Sequence, residues 1–279
     1  MKLILFAAAV LLVSCASTPS TAPQAPVAKA APAPAVKAVS YEVALPTSVK
    51  TFYPNGDPSG SQILQYSASG LLSRQETYNA NGVLVEVRTG KAKGDGWRVT
   101  VVNAQSGEVV SLEDLALGTK GEVLTQTFLS PKEIPQAINE FAYDSLGQKT
   151  VWLAKSGSGG LQARTVYTYD KNGNNTKTEV FDGAAKLTNV FQSTYDAKNR
   201  LVKRDGYNES GVLVEQTTST WKDDRKVKDE TTLPFLRSFE YSYDEKSAPT
   251  GIVASVRGKI VEKQVLTYQW FTKTKLVNP

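Results

Sequence analysis

Neighbouring carboxylates are the residues of this chain whose types and spacing come closest to a catalytic set. They occur as Glu113-Asp114, Asp223-Asp224 and Asp229-Glu230. Hydrolysis of a glycosidic bond needs two carboxyl groups and no histidine, so a glycan hydrolase using Asp223, Asp224 and Glu230 is permitted. Residues 222–230 mix charges of both signs, however, which is typical of a solvated hairpin tip. We therefore predict a protein without catalytic residues.

The composition excludes several other kinds of site. The 279 residues include no histidine and one cysteine. A Ser-His-Asp or Cys-His nucleophile, an imidazole metal ligand, a disulfide within the chain and a cysteine-based zinc site are therefore excluded. The glycine-rich stretch 156–160 lacks the lysine of a phosphate loop, and the turns lack the alternating oxygens of a calcium loop. We expect no cofactor and no metal, and the net charge of +5 does not call for nucleic acid.

An aromatic residue followed by a turn sequence recurs along most of the chain. Units begin at Tyr143, Tyr169 and Tyr195, an interval of 26 residues each time. The Asp or Asn that opens each turn accepts a hydrogen bond from a backbone N–H two residues on, and Gly or Asn three residues later adopts the left-handed conformation. The residues predicted to build these turns are Asp144, Gly147, Asp170, Gly173, Asp196, Asn199, Asn208 and Gly211.

The segments between turns alternate β-branched or aromatic residues with polar ones. This pattern predicts an all-β fold, an antiparallel up-and-down meander of repeated hairpins in a large twisted, curled sheet of roughly 16 to 18 strands. Residues 111–117 could form one helical turn, and Pro131 and Pro135 suggest a lobe boundary near 129–136. Charges on either face of short strands, at Lys177, Glu179, Lys203 and Asp205, disfavour an outer-membrane barrel. Closure of the sheet is left open.

The repeat unit resembles a known family. Tyr-Asp-x-x-Gly followed by a strand is similar to the YD (Rhs-type) repeat of bacterial surface and toxin-delivery proteins. The variant Tyr78-Asn79-Ala80-Asn81-Gly82-Val83-Leu84 is similar to MORN-like variant repeats. The resemblance covers roughly residues 50 to 260 and implies the hairpin-repeat architecture alone, since no Rhs core signature or toxin domain follows. We assign residues 46–279 to this repeat domain.

The N-terminus has the pattern of an exported protein. Lys2 precedes the apolar run 3–13, which is too short to span a bilayer, so residues 1–14 are predicted to be a signal peptide. Leu12-Val13-Ser14-Cys15 resembles the bacterial lipoprotein box. The resemblance implies cleavage between Ser14 and Cys15, lipid on Cys15 and, with Ala16 next, an outer-membrane anchor; its periplasmic or surface side stays open. Residues 15–45, rich in Ala and Pro, are predicted to be a tether.

Eight aromatic residues form the candidate binding face for sugar rings or a partner protein. They are Tyr167, Tyr169, Phe191, Tyr195, Tyr207, Trp221, Tyr241 and Tyr243. Their recurrence at a structural period favours a core ladder of cross-strand pairs over a binding role. The preferred hypothesis is a non-catalytic, lipid-anchored envelope protein whose repeat surface binds a protein or glycan. The alternatives are a periplasmic carrier or assembly factor holding a lipid or acyl chain in an apolar groove, and the carboxylate-dependent hydrolase.

Overall fold

The structure is a computed structural model that describes residues 37–277. This range forms eighteen strands joined by tight turns. Their bounds are β1 (Lys37–Phe52), β2 (Pro58–Tyr66), β3 (Leu72–Asn79), β4 (Leu84–Lys93), β5 (Gly96–Asn103), β6 (Val109–Leu117), β7 (Val123–Leu129), β8 (Pro135–Tyr143), β9 (Lys149–Ser156), β10 (Leu161–Tyr169), β11 (Asn175–Asp182), β12 (Leu187–Tyr195), β13 (Leu201–Asn208), β14 (Leu213–Lys222), β15 (Arg225–Leu233), β16 (Arg237–Tyr243), β17 (Pro249–Val256) and β18 (Lys259–Val277).

The sheet closes into a barrel because its first strand pairs with its last. Every strand pairs antiparallel with its neighbours in the chain, and β1 pairs with both β2 and β18. The predicted all-β meander is therefore confirmed, and the curl that the sequence indicated goes as far as closure. Closure leaves each strand two partners along the barrel wall, which removes the free edges that an open sheet exposes.

Strands β1 and β18 extend beyond their other neighbours as a two-stranded ribbon. β2 pairs with β1 from Ser48 onward, and β17 pairs with β18 as far as Val265. Residues 37–46 therefore pair with 268–277 alone. Residues 37–45, which we assigned to the tether, are strand instead, because their alternating apolar residues find partners in β18. The signal peptide, Cys15 and the rest of the tether lie outside the described residues.

The turns share one hydrogen-bond pattern. In the turn between β10 and β11, Asp170 Oδ1 accepts hydrogen bonds from the backbone N–H groups of Asn172 and Asn174, both at 2.9 Å. Gly173 has a φ of 83°, in the left-handed region. Asp144, Asp196 and Asn208 accept the same pair of bonds, and Gly147, Asn199 and Gly211 take the left-handed position. This geometry returns the chain antiparallel to the preceding strand.

Two stretches form a strand and a turn where the sequence suggested a helical turn and a lobe boundary. Residues 111–117 are strand, not a helical turn, because pairing with β5 and β7 satisfies their backbone and buries Leu112 to 7% exposure. Residues 129–136 contain the turn between β7 and β8, whose ladder begins at Leu129↔Pro135, and the sheet continues on both sides. Within residues 37–277, no helix has the length and apolar character needed to cross a bilayer.

The barrel wall is a single layer without a packed core. In the described residues, the buried apolar side chains are Val99, Val101, Leu112, Leu129, Ala248 and Leu266. A chain of this length folded around a core would bury many more. The ion pairs and ring contacts among the described residues join strands that are neighbours or next neighbours, so none reaches across the barrel. The barrel therefore encloses open space.

Candidate binding surface

The strand register defines two faces of the wall. Tyr167 lies opposite Thr178, Thr178 opposite Phe191, Phe191 opposite Gly206, and Gly206 opposite Glu215. Directly opposed residues of antiparallel strands point to the same side of a sheet. These residues and their alternate neighbours form what we name the inner face. The opposite side is the outer face.

Burial identifies the inner face as the concave one. Along β12, β14 and β16 its residues are partly buried, while most of the exposed positions belong to the outer face. Burial is the largest cause that raises the pKa of Tyr143 and Tyr169, and it raises the pKa of Tyr167 to about 12. On the outer face, by contrast, the pKa of Tyr78 is raised first by its hydrogen bond to Glu76. Side chains converge on the concave side of a closed sheet, so the more buried face lines the interior.

Seven of the eight predicted aromatic residues share the inner face. They are Tyr167, Tyr169, Phe191, Tyr195, Trp221, Tyr241 and Tyr243. Tyr207 points outward, because its neighbour Gly206 pairs with Phe191 while Tyr207 pairs with Val190. Lys177, Glu179, Lys203 and Asp205, which we expected on either face, all lie on the outer face. The inner face has charges of its own, including Arg88 and Glu113, so charged residues occupy both sides of the wall.

The repeated aromatic residue forms a hydrogen bond to the backbone that the sequence did not predict. The hydroxyl of Tyr169 donates to the carbonyl oxygen of Lys149 at 2.9 Å, and Nε1 of Trp221 donates to that of Leu201 at 2.7 Å. Tyr66, Tyr143, Tyr195 and Tyr243 make the equivalent bond. Each acceptor lies beside a β-bulge, where the ladder of the neighbouring strand is interrupted. The aromatic side chain therefore supplies a hydrogen-bond donor to a backbone carbonyl beside the bulge.

Positively charged side chains lie over several rings of the inner face. The Arg204 guanidinium is 4.0 Å from the ring centre of Phe191, and Nζ of Lys226 is 5.2 Å from that of Tyr241. The Phe191 ring itself lies over Gly206, where an added Cβ would come within 2.8 Å of it. The missing side chain at Gly206 thus lets the ring approach the wall. Cation–π contacts of this kind stabilise a charge by about 0.5–2 kcal/mol each.

A polar network crosses the inner face between β4 and β8. Glu113 accepts hydrogen bonds from Arg88 at 2.8 Å and from Gln126 at 2.7 Å, and Gln126 accepts one from Asn139 at 3.0 Å. The network joins four strands without a direct role for the backbone. An apolar groove for an acyl chain would leave such groups without water, so this part of the lumen suits a polar ligand.

The structure does not assemble the carboxylates considered for hydrolysis into one site. Asp223 and Asp224 lie in the turn between β14 and β15, and Asp224 pairs with Lys198 at 2.6 Å. Glu230 points outward beside Lys228, whereas Asp229 points inward beside Lys226.

Glu113 and Asp114 likewise point to opposite faces. In the part of the chain that the structure describes, no group of three acidic or cysteine residues is arranged to hold a metal ion.

Comparison with known proteins gives distant similarities. No protein-family model and no curated protein matches the sequence. A porin-like protein from Bacteroides uniformis aligns with a TM-score of 0.46 at 12% identity, over 80% of this chain and 98% of that chain. A porin-like protein from Bacteroides vulgatus aligns with a TM-score of 0.32 at 10% identity over 80% and 98%. The Photorhabdus luminescens Tc holotoxin pore aligns with a TM-score of 0.27 at 12% identity, over 78% of this chain and 16% of that chain. Such low scores and identities establish no shared function.

Proposed function

We propose that this protein is a non-catalytic, lipid-anchored component of the bacterial cell envelope whose barrel binds a glycan on its inner face. The observation that carries the proposal is the set of aromatic rings on that face, set among amide and charged side chains in an interior without a packed core. Rings of this kind stack on the apolar side of a sugar, and amides and charges bond its hydroxyl groups.

The hydrogen bonds of the aromatic residues beside the β-bulges support the same proposal. Because the hydroxyls of Tyr169 and Tyr195 are bonded to backbone carbonyls, the orientation of each ring is held before any ligand arrives. Rings held in advance lose little conformational freedom on binding, which lowers the cost of association. Rings at equivalent positions of alternate strands lie roughly 10 Å apart, because neighbouring strands are separated by about 4.8 Å. A chain-like ligand can contact several of them at once.

A lipid carrier is the weaker candidate for this interior. The network of Arg88, Glu113 and Gln126 faces the same space that an acyl chain would have to fill. A protein partner would use the outer face, where Tyr207 is the one member of the predicted aromatic set.

Binding can be tested with purified full chain and polysaccharides isolated from bacterial envelopes. We expect Tyr167→Ala and Phe191→Ala to lose glycan capture, while the matched outer-face variant Tyr207→Ala keeps it. Neither Tyr167 nor Phe191 donates a hydrogen bond to a carbonyl beside a β-bulge, as Tyr169 and Tyr195 do, so these variants leave the bulges intact. Equal capture by all three variants, or none by the unaltered chain, would refute the glycan proposal.

The anchor is tested separately by Cys15→Ser. Two or three acyl chains hold a protein at a membrane almost permanently. Without them, a chain whose signal peptide is cleaved is released from the membrane, and an uncleaved chain is held by the signal peptide alone. We expect metabolic labelling with a radioactive fatty acid to mark the unaltered protein and not the variant. Labelling of the variant would exclude Cys15 as the lipid attachment site.

A further inference from the structure

Several cations of the inner face lie within ion-pair distance of a carboxylate. Arg88 lies 2.8 Å from Glu113, and Lys226 lies 2.5 Å from Asp229. Arg204 and Arg237 share Glu215, each at 3.9 Å. Lys149, at the start of β9, has no carboxylate from residues 37–277 within ion-pair distance. A buried or partly buried charge without a partner is costly, so this lysine needs an explanation.

Aromatic rings surround the ammonium group of Lys149. Its Nζ lies 4.7 Å from the ring centre of Phe141, 5.6 Å from that of Trp152 and 6.0 Å from that of Tyr167. The three rings come from β8, β9 and β10, and all belong to the inner face. Burial lowers the pKa of Lys149, as expected for a cation removed from water without a counter-charge. The ring contacts offset part of this cost and leave the positive charge uncompensated.

A second cation, Arg204, lies over the ring of Phe191, two strands along the wall from Tyr167. Arg204 is on β13, and its charge lowers the pKa of Tyr167 against the larger effect of burial. Its contact with Glu215 is long, at 3.9 Å, so its guanidinium keeps most of its donors. In the order of strands along the wall, Lys149 on β9 and Arg204 on β13 thus lie on either side of Tyr167 on β10.

We propose that Lys149 and Arg204 form a binding subsite for an acidic glycan, in which sugar carboxylates pair with the two cations and the intervening sugar stacks on Tyr167. The proposal rests on the glycan-binding function proposed above and specifies its ligand class. A sugar carboxylate supplies the negative charge that the protein does not provide at Lys149. A neutral sugar would stack on Tyr167 and leave that charge unpaired.

The test compares acidic and neutral probes on purified full chain by titration calorimetry. The probes are oligomers of galacturonic acid and malto-oligosaccharides of the same length. We expect the acidic probe to bind more tightly, and Lys149→Met to weaken it by about tenfold or more, as for loss of a charge-assisted hydrogen bond. The same substitution should leave the affinity for the neutral probe unchanged, and Lys149→Arg should keep most of the acidic-probe affinity.

Lys155→Met is the matched control. Lys155 lies on the same strand but on the outer face, where it pairs with Glu140, so its loss should not alter acidic-probe affinity. Circular dichroism shows whether each variant keeps its β structure. Equal binding of both probes with no effect of Lys149→Met would overturn the acidic subsite and leave the glycan proposal standing. Failure of both probes, together with unchanged polysaccharide capture by Tyr167→Ala, would overturn both.

Discussion

Single aromatic residues of this barrel stabilise the backbone beside a β-bulge through one hydrogen bond. Tyr169→Phe removes one hydroxyl and nothing else, and it leaves the carbonyl oxygen of Lys149 without its donor. We expect a loss of about 1 kcal/mol in the free energy of unfolding, the usual net value of one hydrogen bond. Chemical denaturation measures it.

Tyr53→Phe is the control for that loss. Tyr53 is 51% exposed, and its hydroxyl makes no hydrogen bond within residues 37–277. We expect its unfolding free energy to stay within about 0.5 kcal/mol of the unaltered chain, as for other surface substitutions. Equal losses of unfolding free energy in the two variants would mean that the hydrogen bond of the Tyr169 hydroxyl does not stabilise the fold.

The loss of stability of the folded protein in acid should depend on Asp114. The guanidinium of Arg98 donates to both of its carboxylate oxygens, at 2.6 and 2.7 Å, and Lys93 adds a third bond. These bonds lower the pKa of Asp114 to about 2, against about 3.9 in an unfolded chain. Because the folded pKa is the lower one, the stabilisation is complete above about pH 5 and is lost as the pH falls toward 2.

The contribution should be about 1–2 kcal/mol at neutral pH, since a quarter-exposed side chain is partly screened. We expect Asp114→Asn to flatten the dependence of unfolding free energy on pH between 5 and 2. Asp95→Asn, in the neighbouring turn and without an ion pair in the described residues, should keep the original slope. A slope unchanged by Asp114→Asn would show that Asp114 does not dominate this range.

At the scale of the hairpin, the turn between β11 and β12 carries an alanine at the position where most of the equivalent turns of this chain carry glycine or asparagine. Ala185 has a φ of 62°, a conformation that costs a residue with a Cβ about 1–2 kcal/mol. Ala185→Gly removes that strain but adds flexibility to the unfolded chain, so we expect a net gain of about 0.5–1 kcal/mol. Thermal denaturation should show a higher midpoint.

Ala184→Gly makes the same chemical change one residue earlier. Ala184 is outside the left-handed region and donates its backbone N–H to Asp182. The substitution therefore brings only the entropic cost of glycine and should destabilise by about 0.5–1 kcal/mol. Changes of the same sign in both variants would contradict the turn geometry described here.

Hairpins were predictable from the sequence because turn chemistry is local. Asp170 and Gly173 act within one turn, and their spacing alone indicates where a strand ends. The face of each aromatic residue was harder to predict. One β-bulge is enough to reverse which residues of a strand point inward and which point outward. Tyr207 was grouped with Tyr167 by residue type, and only the pairing of Gly206 with Phe191 shows that it points outward.

The Lys149 cluster could not be found from the sequence at all. It depends on three strands arriving at one register, and Lys149 itself looks like any strand-end lysine. The same holds for closure, because pairing of residues 37–52 with 263–277 joins parts of the chain that no local signal connects.

For the whole molecule, that closing ladder decides whether a barrel exists. β18 is the partner of both β17 and β1, so its loss would expose two long strand edges at once. Exposed edges pair with other chains and cause aggregation. The ribbon beyond the wall has no such role, since residues 268–277 pair with β1 alone.

We therefore expect a chain ending at Gly258 to aggregate, and a chain ending at Thr267 to stay folded and to elute like the unaltered chain. The longer one keeps the rungs that join Ser48–Phe52 to residues 263–267, and with them both neighbours of β18 along the wall. Its melting temperature should fall, because Tyr268 and Trp270 are lost from the end of the inner face. Size-exclusion chromatography with circular dichroism separates the outcomes. A monomeric, β-rich chain ending at Gly258 would mean that the wall holds together as an open sheet and that the pairing of β1 with β18 is not what shapes the molecule.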